Sequence, residues 1–459
     1  MEKTTIETHS PSEDFSSAAS AHRRKFLRKI ESRELKVGIL GLGYVGLPLG
    51  LGVHDRGFQV LGFDVDPSKV DAIRTGDSYI QHLPKSRVAA ALATGRFEAT
   101  TDFARLGEPD ALLICVPTPL DAHREPDLQY VRKTAEAIGP NLRAGQLICL
   151  ESTTYPGTTD ELLRSILDGS GLACGEDYFL AYSPERENPG DLEFHTTGIP
   201  KVVGGIGVAA GDMAEALYDA CFSAAVRVSS TRVAEASKLT ENIFRAVNIA
   251  LVNELKVVYD AMGIDVWEVL DAAATKPFGF MRFNPGPGWG GHCIPIDPFY
   301  LSWKAREHGC RARFVELAGE VNVEMPKWVV GKLQRALNEE GRAVRGAKVL
   351  LLGVAYKADI GDPRESPAFE ILDLLLDLGA DVTYHDPHVP VAPTMRTWPD
   401  LPPLRSQPLT TETLAAQDAV LLVTDHQAVD YELVLESAPL VVDTRGVYRQ
   451  ATGDRLIRA

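Results

Sequence analysis

The sequence predicts an α/β protein with two doubly wound, Rossmann-like domains, joined by a long central helix and a helical middle domain. In both halves of the chain, short apolar runs alternate with amphipathic stretches, a pattern typical of buried parallel strands and crossover helices. Between the halves, residues 233–264 contain no glycine or proline until Gly263, which predicts one long helix. A chain of 459 residues also exceeds the usual size of a single core.

The composition indicates an ordinary globular protein with free thiols. Hydrophobic residues make up 45% and charged residues 24% of the chain. The net charge of −16 argues against nucleic acid or an anionic membrane as the main partner. The six cysteines include no CxxC pair, and no apolar run approaches the roughly 20 residues of a membrane span. We therefore expect a cytoplasmic protein with no metal site.

The first 34 residues are polar and serine-rich, without the apolar segment of a signal peptide, and they predict a flexible tail. Residues 35–230 follow as the first doubly wound domain. Its apolar runs predict strands at KVGIL (36–40), QVLGFD (59–64), ALLICV (111–116), QLICLE (146–151), YFLAYS (178–183) and KVVGG (201–205).

A GLGYVG motif matches GxGxxG directly after the first strand and before a helix, the context in which this motif binds a dinucleotide. Asp64 ends the next strand, where a carboxylate can hydrogen-bond both ribose hydroxyls and would repel a 2′-phosphate. The sequence therefore predicts NAD rather than NADP, with a ligand-free glycine turn as the alternative. The predicted cofactor contacts here are Gly41, Leu42, Gly43, Tyr44, Val45, Gly46, Asp64 and Lys69.

Three further strands of this domain end in polar, turn-prone sequence that carries Thr118, Thr153 and Glu185. Ligands bind outside the carboxyl ends of strands in an open parallel sheet, so we expect these side chains to line the cofactor's crevice. Each could instead be a turn hydroxyl or a helix cap.

Residues 231–330 are predicted to form the helical middle domain. Lys238 and Asn242 lie four apart on the long helix, hence on one face, and Asn253 returns to that face three turns later. Polar groups on a buried helix are costly unless they are paired or used, so these residues either serve a site or form structural hydrogen bonds.

The loop GGHCIPID places Cys293 between glycines, a histidine and a proline, with Asp297 four residues further on. Glycines give access to the sulfur and the carboxylate could act on a proton beside it, which favours a nucleophile. A buried, inert cysteine is the alternative.

Residues 331–459 form the second predicted α/β domain, with strands at KVLLLG (348–353), DVTYHD (381–386), AVLLVT (419–424) and LVVDTR (440–445). Tyr356, Lys357 and Arg445 follow its strands, and a basic set there in an acidic protein indicates an anion site such as a diphosphate. Arg364, in the loop GDPRESP, could be an ordinary surface charge.

In this order, the segments GLGYVGLPL, CVPTP, ESTTYPGTT, SPERENPG, GGHCIPIDP, GVAYKADIGDPRESPA and DTRG strongly resemble the nucleotide-sugar 6-dehydrogenase family. Its best-known members oxidise UDP-glucose and GDP-mannose. The resemblance covers residues 36 to 446 and implies oxidation of a primary alcohol to a carboxylate by two successive NAD molecules. It also implies a homodimer.

By this resemblance, Cys293 is the nucleophile, Asp297 assists it, and Lys238 and Asn242 stabilise the negative oxygen at C6. Glu185 would act as general acid/base and Thr153 would position a water. Arg364 would reach the NAD of a neighbouring subunit. The predicted substrate contacts are Glu185, Arg186, Lys238, Asn242, Gly288, Gly290, Tyr356, Lys357 and Arg445.

SPERENPG and the segment 314–330 look most like those of family members that oxidise UDP-N-acetylglucosamine. The resemblance therefore favours this sugar as the substrate, with UDP-N-acetylmannosamine or UDP-glucose as alternatives. Two hypotheses from other classes stay open. A two-electron hydroxy-acid dehydrogenase would need neither the cysteine nor a second α/β domain, and a non-catalytic nucleotide-sugar-binding protein would not need the cysteine.

Overall fold

A computed structural model describes residues 17–80, 83–121, 125–186, 198–291, 294–395 and 397–459. The chain forms two compact units, and the main boundary between them falls between Lys238 and Leu239, inside one helix. A separate middle domain over 231–330 stays a prediction.

The expected flexible tail is wrong for the described part of the N-terminus, because Ser17–Glu31 form helix α1. Residues 1–16 lie outside the described residues. Ala19, Phe26 and Ile30 are buried in the core of the first unit, and Lys29 pairs with Asp110 at 2.8 Å. The segment is polar on average, but these three apolar residues are spaced by seven and four positions, which is the spacing of one face of an amphipathic helix. The prediction of a tail considered the composition and not this spacing.

The first unit is built on an eight-stranded sheet in the order β3-β2-β1-β4-β5-β6-β7-β8. All neighbouring strands are parallel except β6 and β7. The strands are β1 (Lys36–Leu40), β2 (Gln59–Phe63), β3 (Phe97–Thr100), β4 (Ala111–Ile114), β5 (Leu147–Leu150), β6 (Phe179–Tyr182), β7 (Lys201–Gly205) and β8 (Ala225–Arg227).

The six strands predicted for this unit are confirmed, while the edge strands β3 and β8 were missed. Both are short, and their residues alternate in burial or lie half-exposed, so neither carries the continuous apolar run of an inner strand. The helices after α1 are α2 (Gly46–Asp55), α3 (Pro67–Arg74), α4 (Lys85–Ala93), α5 (Gln129–Ile138), α6 (Arg164–Leu167) and α7 (Gly207–Cys221).

The predicted long helix is confirmed as α8, which runs over Thr231–Ala261 from the first unit into the second. The second unit continues with α9 (Val266–Ala274), α10 (Asp297–Glu307), α11 (Arg313–Glu339), α12 (Pro367–Asp377), α13 (Thr411–Ala415) and α14 (Tyr431–Ser437). None of the helices in the described ranges is long and apolar enough to span a membrane.

The sheet of the second unit has five parallel strands in the order β10-β9-β11-β12-β13. They are β9 (Lys348–Leu352), β10 (Asp381–His385), β11 (Ala419–Leu422), β12 (Val441–Asp443) and β13 (Leu456–Arg458). The four predicted strands are confirmed, and the edge strand β13 was missed. Strands β9, β11 and β12 are almost entirely buried, which explains why their sequences are apolar without alternation.

Candidate functional site

The glycine motif lies in the turn between β1 and α2. Gly41 has a φ of +91°, which a residue with a side chain rarely adopts. A β-carbon on Gly46 would lie 1.9 Å from the carbonyl oxygen of Gly41, so α2 can approach the turn only with glycine at that position. Gly43 has open space on its Cα, as close approach of a pyrophosphate to the backbone requires.

Asp64 is fixed at the carboxyl end of β2. It is 5% exposed and accepts hydrogen bonds from the backbone N–H of Leu42, at 2.8 Å, and of Asp66, at 2.9 Å. The ammonium of Lys69, on α3, lies 3.2 Å from the same carboxylate. The glycine turn and the acidic strand end are therefore joined directly, and the donors and acceptor needed for pyrophosphate and ribose fit NAD.

Thr118, Thr153 and Glu185 follow β4, β5 and β6, three neighbouring parallel strands. The structure thus places all three at the same edge of the sheet as the glycine turn, and each is half-buried. Glu185 accepts a hydrogen bond from the backbone N–H of Arg186 at 2.6 Å. The Arg186 guanidinium in turn donates to the carbonyl of Pro200 at 2.8 Å.

A buried ammonium lies beneath this edge of the sheet. Lys201, at the start of β7, pairs with Glu151 at 2.6 Å, and both side chains are almost completely excluded from solvent. Its ammonium also lies 3.6 Å from Glu185 and donates to the carbonyl of Pro184 at 2.9 Å. Burial opposes the charged ammonium, but Glu151 and Glu185 outweigh burial and raise the pKa of Lys201.

Sequence reasoning missed this cation. Lys201 is the one charged residue in the otherwise apolar strand segment KVVGG, and a charge in a buried strand requires a partner. That signal was available. The identity of the partner was not, because Glu151 lies fifty residues earlier in the chain.

Lys238 and Asn242 are buried on α8, at 7% and 4% exposure, as the spacing predicts. The Asn242 amide donates to the carboxylate of Asp297, the first residue of α10 and itself 2% exposed. The structure therefore brings two of the predicted catalytic residues into direct contact. Asn253 instead makes structural hydrogen bonds, with Gly286 N–H and Asn322.

Cys293 and its neighbour His292 lie outside the described residues. The glycines before them are described and pack closely on the loop after β9. A β-carbon on Gly290 would lie 2.9 Å from both the Glu365 carbonyl oxygen and Tyr356 Cβ, and one on Gly291 would lie 2.9 Å from the Tyr356 ring. Gly288 has a φ of +131°. Tyr356 thus supports the loop that leads to the cysteine.

A cavity of about 530 Å³ lies at the carboxyl ends of the strands in the second unit and is lined by Asp425 and residues 445–451. Arg445 follows β12, and its guanidinium donates to the carbonyl of Val423 at 2.7 Å. Lys357, half-buried, follows β9, the strand next to β11 in the same sheet. The cavity is large enough for a nucleotide, and Arg445 supplies a cation at its wall.

Arg364 lies in the loop before α12, where its guanidinium forms a two-point ion pair with Asp362, at 2.8 and 2.5 Å.

Elsewhere in this unit, potential metal-ligand atoms of Asp359, His388 and His426 lie within 4.8 Å of one another. Both ring nitrogens of His426 are already engaged, by the Asp359 N–H and by the Asp386 carboxylate, so this cluster supports the loop rather than a metal.

Residues 35–222 match the NAD binding domain of the UDP-glucose/GDP-mannose dehydrogenase family, residues 232–324 match its central domain, and residues 350–450 match its UDP binding domain.

Among individual relatives, UDP-N-acetyl-D-glucosamine 6-dehydrogenase of Pseudomonas aeruginosa is 36% identical over 86% of this chain and 91% of that protein. UDP-N-acetyl-D-mannosamine dehydrogenase of Methanococcus maripaludis strain C7 is 32% identical over 86% of each chain. Among solved structures, UDP-D-ManNAc dehydrogenase of Pyrococcus horikoshii has a TM-score of 0.83 and 29% identity, covering 92% of this chain and 99% of that one.

Proposed function

The chain belongs to the UDP-glucose/GDP-mannose dehydrogenase family and is an NAD-dependent UDP-sugar dehydrogenase, and from this we propose that it oxidises the C6 alcohol of UDP-N-acetylglucosamine to the uronic acid. The observation that carries the choice of sugar is the 36% identity to a UDP-N-acetyl-D-glucosamine 6-dehydrogenase over most of both chains.

NAD accepts one hydride in each of the two oxidations that convert an alcohol to an acid. Gly41, Gly43 and Gly46 would admit the pyrophosphate, and Asp64 would bind the ribose hydroxyls. Asp64 already accepts two backbone N–H groups, which orient its carboxylate before the cofactor arrives. A carboxylate at this position disfavours a 2′-phosphate, so the proposal keeps NAD over NADP.

Cys293 would retain the aldehyde that the first oxidation produces. Its sulfur would add to the aldehyde carbon to form a thiohemiacetal, and loss of a second hydride and a proton would give a thioester. Water would then break the carbon–sulfur bond, releasing the carboxylate and the thiol. This route needs four electrons to leave one carbon, hence two NAD per sugar.

Lys238 and Asn242 would stabilise the oxygen at C6 as negative charge develops on it. An ammonium and an amide are most effective for this where water is excluded, and both side chains are buried. Because Asn242 also donates to Asp297, it fixes the carboxylate that would assist Cys293 and the hydrolytic water.

Glu185 would serve as general acid/base and Thr153 would position a water. The Glu185 carboxylate accepts the Arg186 N–H, and the Lys201 ammonium lies 3.6 Å from it. In the second unit, Tyr356, Lys357 and Arg445 would hold the UDP. Arg364, whose guanidinium pairs with Asp362, would contact the NAD of a neighbouring subunit.

We propose a homodimer in which α8 contacts its equivalent. Phe244, Leu251 and Val258 recur every seven residues and so lie along one side of α8, and each is about half exposed in the single chain. Such a row of large apolar side chains on a long helix is the usual surface of a helix–helix interface.

UDP-N-acetylmannosamine is the second candidate substrate, because relatives named for that sugar match over similar lengths. Initial rates with UDP-N-acetylglucosamine, UDP-N-acetylmannosamine and UDP-glucose at saturating NAD decide between them. The proposal expects the highest kcat/KM with UDP-N-acetylglucosamine, and a higher value with either other sugar would contradict it.

The covalent route is tested by Cys293→Ser, with Cys310→Ser as the matched control. Cys310 is an exposed cysteine of the same unit. The covalent route predicts that Cys293→Ser loses full turnover to the acid while Cys310→Ser keeps it. A Cys293→Ser enzyme with ordinary turnover would instead favour the hydroxy-acid type of two-electron chemistry.

A further inference from the structure

Lys256, on α8, is a buried lysine to which the proposed reaction assigns no role. Lys256 is only 3% exposed, and its ammonium donates to the carbonyl of Gly286 at 3.0 Å. The same ammonium lies 4.8 Å from the centre of the Trp328 ring. Its hydrogen-bond acceptor and its aromatic neighbour are both uncharged, an unusual setting for a buried cation.

Gly286 connects this lysine to the nucleotide cavity. The Gly286 carbonyl accepts a hydrogen bond from the Lys256 ammonium, and the Gly286 N–H donates to the Asn253 side chain at 2.9 Å. Two residues of α8 therefore bind the backbone of Gly286. Arg445 also packs on Gly286, because a β-carbon added to Gly286 would lie only 2.7 Å from Nη1 of Arg445. The guanidinium that faces the cavity therefore packs directly on the backbone that Lys256 holds.

We propose that Lys256 is a positioning residue for the nucleotide: it holds Gly286 against Arg445 and takes up a proton from solvent when the diphosphate of a nucleotide sugar binds beside Arg445. The inference rests on the proposed role of Arg445 in holding UDP. It adds a buried residue, distant in sequence from the UDP-binding segment, whose charge responds to the ligand.

The charges around Lys256 explain why it can respond. Burial, followed by the nearby Arg445, lowers the pKa of Lys256 to about 7. Asp443, before Arg445, and Asp260, on the same helix, oppose this shift, whereas Lys332 on α11 adds to it. A diphosphate at Arg445 would offset the repulsion between the two cations, and the pKa of Lys256 would rise.

The sign of the pH dependence follows. Below pH 7 Lys256 is already protonated in the free protein, so binding needs no proton. As the pH rises through 7, binding must bring a proton with it, and affinity falls by up to about tenfold per pH unit until the raised pKa of the complex is reached.

The test is calorimetric titration of the full chain with UDP-N-acetylglucosamine in the absence of NAD, at pH 8, in two buffers of different ionisation enthalpy. The phosphates of a nucleotide sugar do not titrate near neutrality, so proton uptake reports on the protein. We expect uptake of about half a proton or more, and no uptake would overturn the inference.

Three variants assign the proton. Lys256→Met should weaken binding about tenfold at pH 7 and abolish uptake, while Lys256→Arg, always charged, should retain binding and abolish uptake. Lys327→Met is the control, since Lys327 is an exposed lysine of α11 that pairs with Glu324 at 2.8 Å, and its proton uptake should match that of the wild type. Unchanged uptake in Lys256→Arg contradicts the inference.

If a Lys256 variant does not fold, the two-buffer comparison on the wild type still decides. The outcomes also separate the inference from the function on which it rests. Binding without proton uptake would overturn only the role of Lys256. Absence of binding by all three candidate UDP-sugars would contradict the proposed nucleotide site itself.

Discussion

At the residue scale, Asp64 joins the carboxyl end of β2 to the glycine turn, because its carboxylate accepts the Leu42 N–H and lies beside Lys69. We propose that the same carboxylate binds the ribose of the cofactor. Asp64→Ser removes a charged acceptor that contributes roughly 1.5–3 kcal/mol per hydrogen bond. We expect the KM for NAD to rise at least about tenfold and the preference for NAD over NADP to narrow.

Steady-state kinetics with both cofactors measures this, and Asp66→Ser is the control. Asp66 caps α3 through the Ser68 N–H, a role that serine can retain. The control should keep the KM for NAD within about twofold. An unchanged KM for NAD in Asp64→Ser would show that Asp64 does not bind the cofactor.

Asp386, after β10, supports the loop that follows β9, since its carboxylate accepts the N–H groups of Val354 and Ala355 and pairs with buried His426. Burial alone would raise its pKa, but His426 and these N–H groups lower the pKa from 3.8 to about 2. A carboxylate with a depressed pKa stabilises the fold above its unfolded pKa, and this contribution is lost as the pH falls from about 4 towards 2.

Asp386→Asn should therefore lower the free energy of unfolding by about 2–3 kcal/mol at pH 7, and by roughly half as much at pH 3. Urea unfolding at the two pH values measures the difference from the wild type. An equal difference at pH 7 and pH 3 would show that the carboxylate's charge is not what stabilises this loop.

The strand-end residues were predictable because parallel strands place their carboxyl ends at one edge, which locates Thr118, Thr153 and Glu185 without knowledge of contacts. The contacts of Lys201 and Lys256 were not predictable from the sequence, because their partners, Glu151 and Gly286, are distant in the chain. Periodicity predicts that a side chain is buried and does not predict what it meets there.

At the scale of elements, α1 shows where composition misleads. Its mean character is polar, yet Phe26 is 3% exposed and lies in the core of the first unit. Phe26→Ala should cost about 3–5 kcal/mol, the usual range for truncating a buried phenylalanine.

Thermal unfolding measures the effect, with Lys25→Ala, at an exposed position of the same helix, as the control. We expect a lower Tm for Phe26→Ala and an unchanged Tm for Lys25→Ala. Equal Tm values for the two variants would show that this segment does not pack on the core and is the flexible tail that its composition predicts.

The exposed row on α8 gives a second prediction at this scale. Leu251→Arg places a charge in the middle of the proposed interface, and we expect sedimentation to show monomers where the wild type is dimeric. Arg245→Glu changes a charge one residue, or about 100°, around the helix from Phe244 and should leave the dimer intact. Dimeric Leu251→Arg protein would place the interface elsewhere.

At the scale of the whole molecule, the sequence predicted both α/β units, ten of their thirteen strands and the long helix. The three strands it missed are all edge strands of three or four residues, which lack the apolar run that burial on both faces produces. The motifs predicted the family because they extend through the whole chain, whereas the choice among acetamido sugars depends on pocket shape, which no motif encodes.

The central claim is a four-electron oxidation of one carbon by a single enzyme. The most direct measurement is the number of NADH molecules formed per sugar, with limiting UDP-N-acetylglucosamine and excess NAD. The account predicts two NADH per sugar and the uronic acid as product. One NADH per sugar, with the aldehyde released, would contradict the thioester route. No NADH with this sugar, but two per molecule of UDP-N-acetylmannosamine, would contradict only the choice of sugar.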